Sequence, residues 1–178
     1  MEAAVDLLIE GGPGAVTIDA VVARSKVAKS TIYRHWETRD DLLLDMLRLC
    51  GPPSLPEPPV DLPVPAALRL ILYAVVEATD DPASSRAITT MILLRAELAG
   101  MDQLEESREK AQLATVDTVL ARGVAEGVIR PGYDLRQACA HLVGPLVFAH
   151  LTGVLASDRR LADRTIDVFM AAYGTGAG

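Results

Sequence analysis

Apolar positions recur along this chain at three- and four-residue spacing, and no alternating run is long enough to count as a strand. The pattern predicts an all-α protein. Ala4, Val5, Leu8 and Ile9 form the apolar side of a first helix that Gly11, Gly12 and Pro13 stop. Ile18, Val21 and Val22 repeat the spacing in a second, with Thr17 as N-cap and Asp19 in the first turn, where a carboxylate suits the helix dipole. A third runs from about Ala28 to Trp36. Its apolar side is Ile32 and Trp36, with Val27 packing in from the turn, and its other side carries Lys29, Ser30, Tyr33 and Arg34. Thr38 and Asp41 then read as a capping box opening a helix through Leu42, Leu43, Met46 and Leu47 to about Cys50.

The sharpest break lies between Gly51 and Pro65, where seven of fifteen residues are proline. Such a segment is predicted to be extended, neither helix nor strand, and to separate an N-terminal domain (1–50) from a helical body (66–178). The body reads as helices over Ala66–Thr79, Pro82–Leu98 with Asp81 as N-cap, Met101–Glu126, Leu135–Thr152 opened by Asp134 and Gln137, and Arg159–Tyr173. Gly144-Pro145 interrupts the Leu135–Thr152 helix and predicts a kink. That helix is apolar nearly all round and therefore needs several buried sides, and another subunit is expected to cover one of them. The expected interface residues are Ala140, Gly144, Val147, Phe148 and Leu151, with Ile166, Phe169 and Met170 from the last helix.

Two helices as short as the second and third cannot bury an apolar stripe alone, so they must pack on each other and on the first. That is a helix-turn-helix, with its second helix free to enter a major groove. Charge supports the reading. The chain carries a net −7, yet between Val22 and Arg39 five Lys/Arg (Arg24, Lys26, Lys29, Arg34, Arg39) face one acid, Glu37. A basic island in an acidic chain suits a small, placed DNA face on a body that otherwise repels nucleic acid.

Thr17, Val27, Lys29, Thr31, Ile32, Tyr33, Arg34, His35 and Trp36, followed by Thr38, Arg39 and Leu42, resemble the DNA-binding signature of TetR-type transcriptional regulators across about Met1 to Leu47. The resemblance implies Thr17, Lys29, Tyr33, His35 and Arg39 as phosphate or groove contacts, with Ser30, Thr31 and Arg34 where base edges are read. Three positions depart from the pattern. Lys26 stands where the turn usually has glycine, Ala28 where a serine usually caps, and Arg39 where lysine is usual. The Gly-Pro of the penultimate helix also resembles the C-terminal domain of some TetR-type regulators. The family implies a two-fold dimer built from the last two helices, binding a palindromic double-stranded operator and released by a small molecule.

The remaining composition narrows the alternatives. Half of the 178 residues are hydrophobic and few are aromatic, which gives a core of Ala, Leu and Val. No apolar run is long enough to span a membrane and no secretory leader is visible, so a cytoplasmic protein without a membrane partner is expected. Cys50 and Cys139 have no metal-ligand spacing, and His141 and His150 lie nine apart, so neither metal nor cofactor is expected. Cys139 and His141, two apart on a helix, point away from each other, and an enzyme is not expected. For an effector, periodicity places Tyr73, Thr90 and Arg95 near the inside of the first body helices, with His141 across on the kinked helix. Apolar walls with few polar groups suit a mostly apolar ligand, anionic if Arg95 faces inward. Two other readings stay open: a carrier or enzyme with a vestigial DNA domain, and a DNA-binding module without effector.

Overall fold

The structure is a computed structural model that describes residues 1–51, 54–98 and 100–176; Pro52 and Pro53 of the proline-rich segment lie outside them. The described elements are α1 (Glu2–Gly11), a 3-10 turn (Pro13–Ala15), α2 (Ile18–Ser25), α3 (Lys29–His35), α4 (Arg39–Cys50), α5 (Val64–Asp80), α6 (Pro82–Leu94), α7 (Met101–Ala125), α8 (Leu135–Thr152) and α9 (Arg159–Tyr173). Among the described residues there is no strand, only one antiparallel bridge between Ile129 and Gly174. None of the described helices is long and apolar enough to cross a membrane.

Capping chemistry explains most helix starts. Thr17, Asp81, Asp134 and Asp158 each accept a hydrogen bond from the backbone N–H three residues on. Thr38 does the same from Asp41, whose carboxylate accepts from the Thr38 N–H in return and closes the box. Two boundaries differ from the periodicity. α5 begins at Val64, because Pro65 falls in the first turn, where its missing N–H leaves no bond unmade. α6 ends at Leu94, and Arg95–Glu97 form a turn instead of carrying the helix to Leu98.

The chain packs as two units. The first comprises Met1–Pro53 and Asp80–Ser107, the second Ser54–Thr79 and Arg108–Gly178. One division falls inside the proline-rich segment, but Asp80–Ser107, beyond it in the chain, packs with the first unit. α6 lies against α1 and α4, and its Ala87 and Met91 join Leu8, Leu42, Leu43, Met46 and Leu47 in one core with Met101 and Leu104 of α7. Four short N-terminal helices leave an apolar side uncovered, and a segment beyond the prolines covers it.

In the second unit, α5, the later part of α7, α8 and α9 enclose Leu68, Ile71, Leu72, Leu120, Ile129 and Leu142. A Cβ on Gly123 of α7 would come within 2.6 Å of the Ile129 side chain, so this close crossing depends on glycine. The Arg122 guanidinium donates to the carbonyls of Pro59, Val60 and Leu62 and clasps the end of the proline-rich segment. α8 continues through Pro145, packs on α9, and ends at Gly153 in the left-handed region.

Between α2 and α3, Lys26 adopts φ 57° and ψ 16°, the one non-glycine residue of the described chain with positive φ. A side chain there is strained by about 1–2 kcal/mol, partly offset in glycine by the greater freedom of its unfolded state. Lys26→Gly should therefore stabilise the protein by about 0.5–1 kcal/mol and raise the unfolding midpoint by about 1–4 °C in a thermal melt.

Candidate nucleic-acid interface

A seven-residue helix has too few hydrogen bonds to persist alone. Two side chains hold α3 in place. Ile32 is buried in the first unit's core, and the Trp36 indole, half-buried just past the helix, donates to an Asp45 carboxylate oxygen of α4 at 3.0 Å. At the other end Ala28 offers no side-chain cap, and Val27 is 39% exposed instead of packing inward from the turn. With Ile32 turned inward, Lys29, Ser30, Tyr33, Arg34 and His35 are exposed and Thr31 is half-buried. The structure thus brings the sequence-predicted contacts of α3 together on one free side.

Two predicted contacts hold structural positions as well. The Thr17 hydroxyl accepts from the Ala20 N–H as the cap of α2. Arg39 directs Nε to the Val16 carbonyl at 2.9 Å and another guanidinium nitrogen to the Pro13 carbonyl at 2.6 Å, tying the start of α4 to the turn before α2. These bonds use the Nε edge of the guanidinium, while Nη1 lies 3.9 Å from an Asp40 carboxylate oxygen.

The basic island is partly neutralised in space. Arg24 forms a two-pronged pair with Glu10 at 2.8 and 2.6 Å, and this hydrogen-bonded guanidinium holds the Glu10 carboxyl below the usual carboxylate range. Lys29 Nζ lies 2.7 Å from an Asp19 carboxylate oxygen and 5.7 Å from the centre of the Tyr33 ring. That hydrogen bond to Asp19 raises the lysine pKa and keeps it charged. Lys26 and Arg34 have no ion-pair partner among the described residues. Glu10 and Asp19 precede the basic stretch in the chain, and the packing of α1, α2 and α3 brings them to it.

The body residues are placed as follows. On α8, Ala140, Phe148 and Leu151 are exposed and Gly144 and Val147 half-buried, which leaves one apolar side open. On α9, Ile166 and Phe169 are buried in the chain's own core and Met170 packs against it, so they are not on a free side. The outward side of α9 carries Arg164, Val168 and Ala172, which with Gly144, Pro145 and His141 line an open groove of about 550 Å³. Of the four proposed effector residues, Thr90 is buried in the first unit, where Arg95 is exposed rather than inward. In the second unit, Tyr73 donates to Asp163 at 3.0 Å, and His141 Nδ1 lies 2.8 Å from the Tyr173 hydroxyl. Each of these two already holds a partner.

Comparison with known proteins agrees with this geometry. Residues 1–46 match the family described as bacterial regulatory proteins, tetR family, and residues 64–169 match the tetracyclin repressor-like C-terminal domain. An uncharacterized HTH-type transcriptional regulator of Bacillus subtilis, YdeS, is 28% identical over 99% of this chain and 89% of its own. A TetR transcriptional regulator from Agrobacterium tumefaciens has the same fold, with a TM-score of 0.76 at 19% identity over 98% of this chain and 92% of its own. SmeT of Stenotrophomonas maltophilia, solved as a complex with triclosan, superposes with a TM-score of 0.67 at 18% identity, covering 99% and 90%.

Replacing Lys29 with Ala should weaken binding to every DNA sequence and flatten the logarithmic salt dependence by up to about 0.9 for the lost phosphate contact. Arg34→Ala should instead reduce discrimination between operator variants by about 1–3 kcal/mol in gel-shift titrations. Parent-like binding by both variants would remove α3 from the interface.

Proposed function

The chain belongs to the TetR family of bacterial regulatory proteins, and on that footing we propose that it is a dimeric repressor, released from a palindromic operator by a small, mostly apolar molecule. That it is a DNA-binding transcriptional regulator follows from the family. The observation that carries the contact assignment is the division of α3, with Ile32 inward and Ser30, Tyr33 and Arg34 outward. In a two-fold dimer, two such helices would enter successive major grooves about 34–36 Å apart. A change in their separation would cost one set of contacts. The effector would shift that equilibrium only by its difference in affinity for the two states.

Support for the dimer is the open apolar side of α8, since contiguous exposed apolar surface marks an interaction site. Ala140, Gly144, Val147, Phe148 and Leu151 are its proposed contacts, with Val168 and Ala172 from α9 in place of the buried Ile166 and Phe169. The effector reading draws on SmeT, which has the same fold and was solved with triclosan. Tyr73 and His141 are the candidate polar groups in the second unit, and a ligand would exchange with Asp163 or Tyr173 to reach them. An anionic effector loses its motive, because Arg95 is exposed. A thiol-dependent reaction gains no support either, since burial pushes the Cys139 thiol up to about 11 and leaves it protonated at neutral pH.

Gly144 supplies the test. A Cβ there meets nothing within 4 Å in the single chain, so Gly144→Leu should fold with the parent's helix content. In the dimer the added bulk falls where two chains approach, and overpacking by about 1–3 kcal/mol should shift sedimentation toward the monomer and lower operator affinity. A parent that sediments as a monomer at micromolar concentration would overturn the assignment. A library of apolar compounds should raise the parent's melting temperature and release operator DNA; no response at all would leave an effector-free regulator.

A further inference from the structure

The contact between Lys29 and Asp19 has a consequence for how this face meets DNA. Lys29 is the first residue of α3 and Asp19 the second of α2, so the helix-turn-helix itself sets them together, Nζ to Oδ1 at 2.7 Å. Both are surface groups, and the carboxylate is the more exposed, 78% against 54% for the lysine side chain. A phosphate approaching Lys29 therefore meets a fixed negative charge on the same ammonium. Among the described residues, Lys29 meets this carboxylate and the Tyr33 ring.

We propose that Asp19 is an affinity-setting residue, a built-in counter-ion that competes with DNA phosphate for Lys29 and keeps sequence-independent binding weak. The proposal rests on the assignment of α3 to DNA contact. Its physical basis is counterion release. Salt ions condensed on DNA are released when a cation neutralises a phosphate. A lysine whose charge is shared with a carboxylate neutralises less of it, so its phosphate contact gains less than an unpaired lysine's would. The competing pair is exposed and weak, so it moderates phosphate contact without abolishing it. Arg24, held by both oxygens of Glu10, is restrained in the same manner, whereas Arg34, the α3 cation placed to read bases, has no ion-pair partner among the described residues. Non-specific attraction is thus held down where it carries no sequence information, and base reading is left unhindered.

The test needs no knowledge of the operator. Binding of the full chain to a mixed-sequence duplex is titrated across a range of salt for the parent, Asp19→Asn, Lys29→Ala and the double variant. Glu57→Gln, at an exposed carboxylate of the proline-rich segment, controls for net charge. Asp19→Asn should bind about two- to fivefold tighter at low salt and steepen the logarithmic salt slope by up to about 0.9. The gain should exceed that of Glu57→Gln and vanish on the Lys29→Ala background. If Asp19 instead positions Lys29 for its phosphate, Asp19→Asn would bind more weakly, and the proposal fails. It fails equally if the gain matches Glu57→Gln or survives in the double variant. A parent without measurable DNA affinity would overturn the α3 assignment together with it, whereas a binding parent and an unchanged Asp19→Asn would overturn the competition alone.

Discussion

The burial of Ile32, with the Trp36 indole bonded to Asp45, is the interaction on which the proposed DNA-binding face depends. α3 has seven residues and no side-chain cap, so its helical form is borrowed from the core beneath it. Ile32 sets which side points inward, and the side opposite is the one we propose for DNA. The neighbouring devices maintain that docking. Thr17 caps α2, Lys26 takes the left-handed turn that reverses the chain, the Thr38–Asp41 box starts α4, and Arg39 ties α4 back to the turn ahead of α2. The DNA contact we propose for so short a helix would be accurate only because several larger elements hold it in place.

Charge acts against this background at two scales. The acidic chain repels nucleic acid as a whole, and a few cations around α2 and α3 reverse the sign locally. Packing then sets acids beside two of those cations, and backbone carbonyls take a third. Lys26 and Arg34 are left without an ion-pair partner among the described residues. The face is therefore less basic in space than along the chain, which suits a protein that must leave most DNA and stay at one site.

The second unit follows a different logic. α9 turns Ile166 and Phe169 into the chain's own core, while α8 keeps Phe148 and Leu151 outside. Apolar surface left open beside a satisfied core is the mark of a surface meant for another molecule. The proline-rich segment is part of this unit from Ser54 onward, and Arg122 clasps the carbonyls of Pro59, Val60 and Leu62. It is an anchored strap where it meets α7.

How much of this was legible in the chain depended on the range of the interaction. Helix starts were readable because Thr17, Thr38, Asp81 and Asp134 cap over three residues, and so were the full spans of α8 and α9. The sides of α3 were readable too, since Ile32 and Trp36 stand one turn apart, and the basic stretch with its Tyr-Arg-His-Trp run pointed to the family. Tertiary structure decided what local spacing does not encode. It placed α6 in the first unit across the proline-rich segment, turned Ile166 and Phe169 inward, exposed Arg95 and Val27, and set Glu10 and Asp19 against Arg24 and Lys29. Periodicity fixes which residues share a side of one helix, but which neighbour covers that side is settled only when all the helices compete for the same apolar surface.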